Sequence, residues 1–370
     1  MRFDLEEYIL HELARLVAIP SVTGSEMPCI LYLEHVLAEM GLEPHRQPVD
    51  ERRCNLVVPA RARPALLLTA HVDTVPDFGH PDLFTPRLEA GWLAGRGAAD
   101  VKGGIVAILA AIRLALLRDT SLDHVALAFT VDEEQGGLGS EVLASSLTAD
   151  AAIVMEPTQL RICICEAGSV EAEFLVTGFA CHGSEFEQGT NAIEKAISLI
   201  HELDRRMRTR RYHPLLGKAG YNLMHIAGGS SALVVPDECR VRLDVRLFPR
   251  DDPEQVVSTL QQIAVMLDAR MTVHDISEPF ELSPEAPIAQ LLSGAFEEAS
   301  QTRAEFAGMK SWTDAEPLVR HGIPAVVFGP GDLAHAHTNR ERVRLADVVN
   351  AARALFHAIE RCPMVLAAPS

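Results

Sequence analysis

Several apolar runs in this chain break off at a histidine or an acid. His124-Val125-Ala126-Leu127-Ala128-Phe129-Thr130-Val131 leads to Glu133 and Glu134, Ala65 to Ala70 leads to His71, Ala151 to Met155 leads to Glu156, and Ala325 to Phe328 is followed by His335 and His337. Such runs read as buried strands. In a parallel α/β sheet the strands' carboxyl ends share the edge where ligands bind. Two adjacent carboxylates at such an end suggest one acid holding a metal and its neighbour moving protons. A solvated acidic loop is the plainer reading of Glu133-Glu134 alone. It weakens because the other runs, and the turn Gly95-Arg96-Gly97-Ala98-Ala99 before Asp100, aim similar side chains at one edge.

Histidine, aspartate and glutamate suit zinc, cobalt or manganese, and no cysteine lies in these segments to suggest a thiolate site. Two metals fit better than one. Asp100, Glu134 and Glu156 supply three negative charges against the four positive charges of two divalent ions, so the site stays electrophilic. Asp73, two residues after His71, is expected to accept the other ring N–H of that imidazole and fix its tautomer; a turn cap is the alternative.

HVDTVP (71–76), GRGAADVKGG (95–104), VDEEQGGLGS (131–140), MEPT (155–158), WTDA (312–315) and GPGDLAHAHTNRERV (329–343) resemble the M20 family of dinuclear zinc hydrolases, in family order across nearly the whole chain. That group includes acetylornithine deacetylase, succinyl-diaminopimelate desuccinylase and glutamate carboxypeptidase. The resemblance implies His71 and Glu156 on one metal, Glu134 and His337 on the other, and Asp100 bridging. It also implies Asp73 as support, Glu133 as general base, and a cis peptide between Asp100 and Val101. His335 competes for the last ligand position; His337 is preferred because it directly precedes a polar stretch ending in Glu341.

A chain of 370 residues with 48% hydrophobic composition can bury two cores. Seven scattered cysteines form no disulfide framework and point to a reducing cytoplasm. Cys163 and Cys165 share one strand face and are read as core. The charged start lacks the pattern of a signal peptide, and no run approaches membrane-spanning length, so no membrane partner is expected. A formal charge of −18 argues against a nucleic-acid partner. The basic cluster Arg205 to Arg211 reads as a solvated helix end.

The first part alternates helices near 4–17, 27–40 and 102–117 with strands near 54–59 and 65–70, a doubly wound α/β pattern. Beyond Glu156, strands near 170–178, 221–227, 239–247 and 271–276 and helices near 190–207 and 253–267 follow the βαββαβ order of a ferredoxin-like unit. The pattern gives a catalytic metal-binding domain of residues 1–167 and 282–370, interrupted by an inserted domain at 168–281. The first domain resumes with a helix near 286–299 and closes with a helix from Arg342 to Arg361.

In the resembled family the inserted domain is lid and dimerisation surface, which implies a homodimer. It carries a histidine, often acting in the neighbouring protomer, that His182 matches, although Phe186 replaces the usual proline. The segment Gly228 to Pro236, followed by Asp244-Val245-Arg246, is similar to the stretch that binds a substrate carboxylate. Arg246 is the candidate anchor, an ion pair with Asp244 its alternative role, and Leu233 departs from the usual asparagine. The resemblance implies hydrolysis of amide bonds in N-acyl amino acids, as in acetylornithine deacetylase. A dipeptidase, carboxypeptidase or succinyl-diaminopimelate desuccinylase is the alternative within the family. A non-catalytic metal-stabilised binding protein is the alternative outside it, and a base such as Glu133 argues against it.

Overall fold

In the computed structural model, which describes residues 3–207, 211–230 and 232–366, the apolar runs become the parallel centre of a mixed sheet. Its strand order is His45–Pro48, Cys54–Val58, Val125–Thr130, Leu66–His71, Ala151–Met155, Ala325–Phe328, Ile162–Glu166 and Phe280–Glu281, with Phe306–Met309 also paired to Ile162–Glu166. Leu66–His71 runs parallel to both neighbours, with His71 opposite Thr130. Ala325–Phe328 runs parallel to Ala151–Met155 and pairs Phe328 with Met155, while its other side meets Ile162–Glu166 antiparallel. Four parallel strands therefore end on one edge. The strands are buried along their whole length, as expected of a sheet covered on both faces.

The helix Gly103–Leu117 is apolar on every side and packs against Leu345–Val365, which in turn meets Pro287–Ser300 and Leu5–Val17. A separate pair, Leu138–Ser146 and Ala315–Arg320, also packs together. Gly104 allows the central helix to lie close to the strand that precedes Glu156, since a Cβ there would stand 2.7 Å from that of Met155. The sequence reading of a helix from Arg342 needs correction. Arg342–Arg344 is a strand with only Val343 buried, a period of two, and the helix begins at Leu345. With Arg87–Glu89 and Trp92–Ala94 it forms a small antiparallel sheet that the sequence did not suggest.

The chain divides into two compact units: Met1–Ile164 with Leu282–Met309 and Thr313–Ser370, and Cys165–Glu281 with Lys310–Trp312. The second holds an antiparallel sheet in the order Gly220–Gly228, Glu238–Leu247, Gly168–Thr177, Ala269–Ser277. Burial alternates strictly along Gly168–Val176, and Val170, Ala172, Phe174 and Val176 meet Val241, Leu243 and Val245 under the helices Ala192–Met207 and Pro253–Met266. This is the ferredoxin-like order. Within the basic cluster, residues 208–210 lie outside the described residues, as does Ser231. No disulfide joins any of the seven cysteines, and Cys163 and Cys165 are both buried. Among the described residues no helix is long and apolar enough to cross a membrane.

Candidate metal centre

Because the four parallel strands end together, the residues that follow them converge. His71 closes its strand, Glu133 and Glu134 follow Val125–Thr130, Glu156 follows Ala151–Met155, and His337 lies on the loop after Ala325–Phe328. Asp100 comes from the turn before the central helix, where Asp100-Val101 is a cis peptide. His71 Nε2 lies 3.1 Å from Asp100 Oδ1 and 3.8 Å from Glu156 Oε1. His337 Nε2 lies 2.9 Å from Glu134 Oε2 and 3.3 Å from Asp100 Oδ2. Two groups able to hold a metal result, His71-Asp100-Glu156 and Asp100-Glu134-His337, each with ligand atoms within 4.8 Å of one another. His335 joins neither; its Nδ1 is 3.9 Å from Asp332. Glu133 Oε2 stands 4.0 Å from His71 Nε2, and the Glu133 side chain is 12% exposed.

The donor set fits divalent ions on an observation independent of motif. Glu134 Oε1 and Glu156 Oε1 are buried without a hydrogen-bond partner, which is costly unless something charged completes them. Burial, the largest influence, and then Asp100, hold Glu156 well above the usual carboxylate range against the opposing His71. Burial, opposed by His71 and reinforced by Glu156, Asp314 and Glu134, does the same to Glu133. Glu134 is raised by burial against its bond to His337. Asp100 and Glu134 lift His337 to about 10. His71 is also raised, since Glu133, Asp100, Asp73 and Glu156 outweigh the burial that opposes them. Protons crowd where cations could replace them.

Asp73 meets His71 with two groups. His71 Nδ1 faces the Asp73 backbone carbonyl at 3.0 Å, and the nearer carboxylate oxygen is 3.6 Å away. The carboxylate also accepts the backbone N–H of Glu133 and of Glu134, and the hydroxyl of Thr23 at 2.9 Å. It sets the backbone of the acidic pair, and its neighbouring carbonyl takes the imidazole.

Three buried residues escaped the sequence reading. Glu341 accepts the N–H of Ala99 and of Asp100, both at 3.2 Å, and pairs with Arg96 at 2.7 Å. The Asp100 turn is thereby held by an acid 241 residues away. Asp314 accepts the Thr130 hydroxyl at 2.5 Å, and its Oδ1 is buried without a partner. Lys102 Nζ donates to the Ile19 carbonyl at 2.7 Å, and burial lowers its pKa to about 8.

In the second unit, His182 Nδ1 lies 2.8 Å from the Ser184 hydroxyl on a loop bridged to Val234. Arg246 pairs with Asp244 at 2.7 Å and donates to the Lys310 carbonyl at 2.9 Å. Its guanidinium is therefore already engaged within its own unit.

Strands ending on one edge of a doubly wound sheet, with two acid-histidine groups sharing an aspartate, define a metal-dependent hydrolase of the α/β class. The description of peptidase family M20/M25/M40 matches residues 67–361, and the chain belongs to that family. It is 31% identical over 349 residues to an acetylornithine deacetylase of Edwardsiella ictaluri, covering 87% of this chain and 89% of the relative. In fold it is similar to a tripeptidase of Staphylococcus aureus, with a TM-score of 0.83, 21% identity, and coverage of 96% and 98% of the two chains. A dinuclear-metal-binding M20 peptidase of Bacillus subtilis superposes with a TM-score of 0.69 at 16% identity, covering 96% and 98%. The chain is an amide-bond hydrolase.

Proposed function

We propose that the protein is a deacylase of N-acyl amino acids with two divalent ions, held by His71, Asp100 and Glu156 and by Asp100, Glu134 and His337. The observation that carries this is the position of Asp100, whose two oxygens face two different histidines. When bound, such ions polarise the scissile carbonyl and acidify water. Glu133 takes the proton from the attacking water and hands it to the departing amine, one carboxylate serving as base and then as acid. Asp73 holds the Glu133 backbone for that transfer. Zinc suits the donor set, and cobalt and manganese share the preference.

The acyl amino acid is supported by similarity to acetylornithine deacetylase. His182 is assigned to the substrate carbonyl and Arg246 to the substrate carboxylate, which would have to displace Asp244. A homodimer through the inserted domain is supported by the edge strand Gly220–Gly228, which exposes Leu223, Met224 and Ile226. Seven cysteines with no disulfide among them, six of them buried, support a cytoplasmic location. A hydrolysis panel of N-acetyl and N-succinyl amino acids and dipeptides, each with zinc, cobalt and manganese, tests the reading. Turnover of at least one amide with a free carboxylate is expected, and turnover confined to esters or phosphates would overturn it.

A further inference from the structure

The small sheet whose last strand follows the His337 loop has one face that the hydrolytic reading does not use. Its register places Ala94 between Arg87 on one side and Arg342 on the other. The three residues form one row, and their side chains share one face. The opposite face carries Leu93 and Val343, both buried. The small methyl of Ala94 leaves the floor open between two guanidinium groups. Across two strand spacings their backbones stand roughly 10 Å apart. Trp92, two residues before Ala94, shares the face, and the Arg342 guanidinium carbon lies 4.6 Å from its ring centroid. That stacking fixes one cation beside the opening. Arg340 supplies a third, and together these residues line a cavity of about 630 Å³ with Glu89 and His335.

Positive charge gathers at this opening. The chain has 51 acidic and 33 basic residues, and some of its arginines take carboxylate partners, as Arg46, Arg63, Arg96 and Arg320 do. Among the described residues, Arg87, Arg340 and Arg342 have no carboxylate within 4.0 Å. Three arginines less Glu89 leave two net positive charges around one opening. His335 also keeps a buried Nδ1 without a hydrogen-bond partner. The Ala94 gap and the volume favour a ligand larger than a single inorganic ion.

We propose that this face binds a small molecule bearing two separated anionic groups, carboxylate or phosphate, with Arg87 and Arg342 each gripping one and Arg340 closing the rim. Guanidinium forks suit both chemistries. The proposal does not depend on the hydrolytic reading.

Calorimetric titration of the metal-loaded protein at constant ionic strength tests it, using glutarate and fructose 1,6-bisphosphate as probes and acetate and inorganic phosphate as single-group controls. At least one two-group probe should bind about 10-fold or more tightly than its control, the arm that responds naming the anionic chemistry. Arg87→Ala/Arg342→Ala should weaken that binding by about 10-fold or more while metal content and unfolding temperature stay unchanged, since both side chains are exposed. Arg340→Glu is a second, charge-reversing variant expected to do the same. Arg246→Ala should leave it intact. Probe binding no tighter than the controls, or binding that survives the double variant, would overturn the proposal.

Discussion

Asp73 Oδ1 accepts the backbone N–H of Glu133 at 3.1 Å, while Oδ2 accepts that of Glu134 at the same distance. An asparagine would turn an NH2 group toward one of those donors. Asp73→Asn should therefore destabilise the protein by about 1–3 kcal/mol, the cost of unsatisfied buried polar groups. Turnover should fall even in the fraction that stays folded and metal-loaded. Thermal unfolding with kinetics checks this, and an unchanged midpoint and rate would show that the two bonds are dispensable.

The two glutamates should separate by chemistry. Glu133→Gln should keep its metals and lose about 10²-fold or more in turnover, the low end of general-base contributions. Glu134→Gln should lose affinity for one ion, with residual activity restored by added metal. Metal analysis beside kinetics decides; metal loss in the first variant with none in the second would reverse the roles.

Metal loading should release protons. In the metal-free protein His71, His337, Glu133, Glu134 and Glu156 all titrate above their ordinary ranges, so they hold protons to higher pH than the free groups would, and cations must displace them. Raised groups bind metal more weakly as pH falls, so affinity should rise with pH up to about 10, where His337 deprotonates by itself. Titrations in buffers of different ionisation heat should show net proton release at neutral pH. A buffer-independent heat would contradict the assignment.

Glu341→Gln should behave as a break in a buried pair. Arg96 would be left buried without its counter-charge, at a cost on the order of 3–5 kcal/mol, and the Asp100 turn would lose a charged acceptor. Differential scanning calorimetry should show a large fall in unfolding temperature. A shift within a degree or two would mean that the pair contributes little.

Mixing His182→Ala with Glu133→Ala tests the dimer. Recovered activity after demonstrated subunit exchange is expected if the histidine serves the partner's site; exchange without recovery would mean that it acts within its own chain or not at all.

The α/β class was legible because the parallel strands are apolar throughout and stop at single polar residues. Where such a residue closes the run or directly follows it, as His71 and Glu156 do, adjacency in sequence becomes adjacency in space. Asp314 and Glu341 left no such mark. Their partners are Thr130 and the amides of Ala99 and Asp100, and a bond to a distant backbone or hydroxyl has no local period. Spacing placed Asp73 beside His71 but gave no sign that its carboxylate also takes the Glu133 and Glu134 amides, for the same reason. The strand at Arg342 escaped because a pattern of three residues is too short to separate from the first turn of the helix that follows.

The strand Ala325–Phe328 sits between Ala151–Met155 and Ile162–Glu166, two strands separated by a short loop. Ribosomal synthesis delivers those two long before the strand that divides them. Until then the nascent chain carries an open slot with two unpaired apolar edges, and His337 has not been made. A chain stopped before residue 325 would lack both His337 and Glu341, the acid that holds the Asp100 turn, and its exposed slot would invite pairing with other chains.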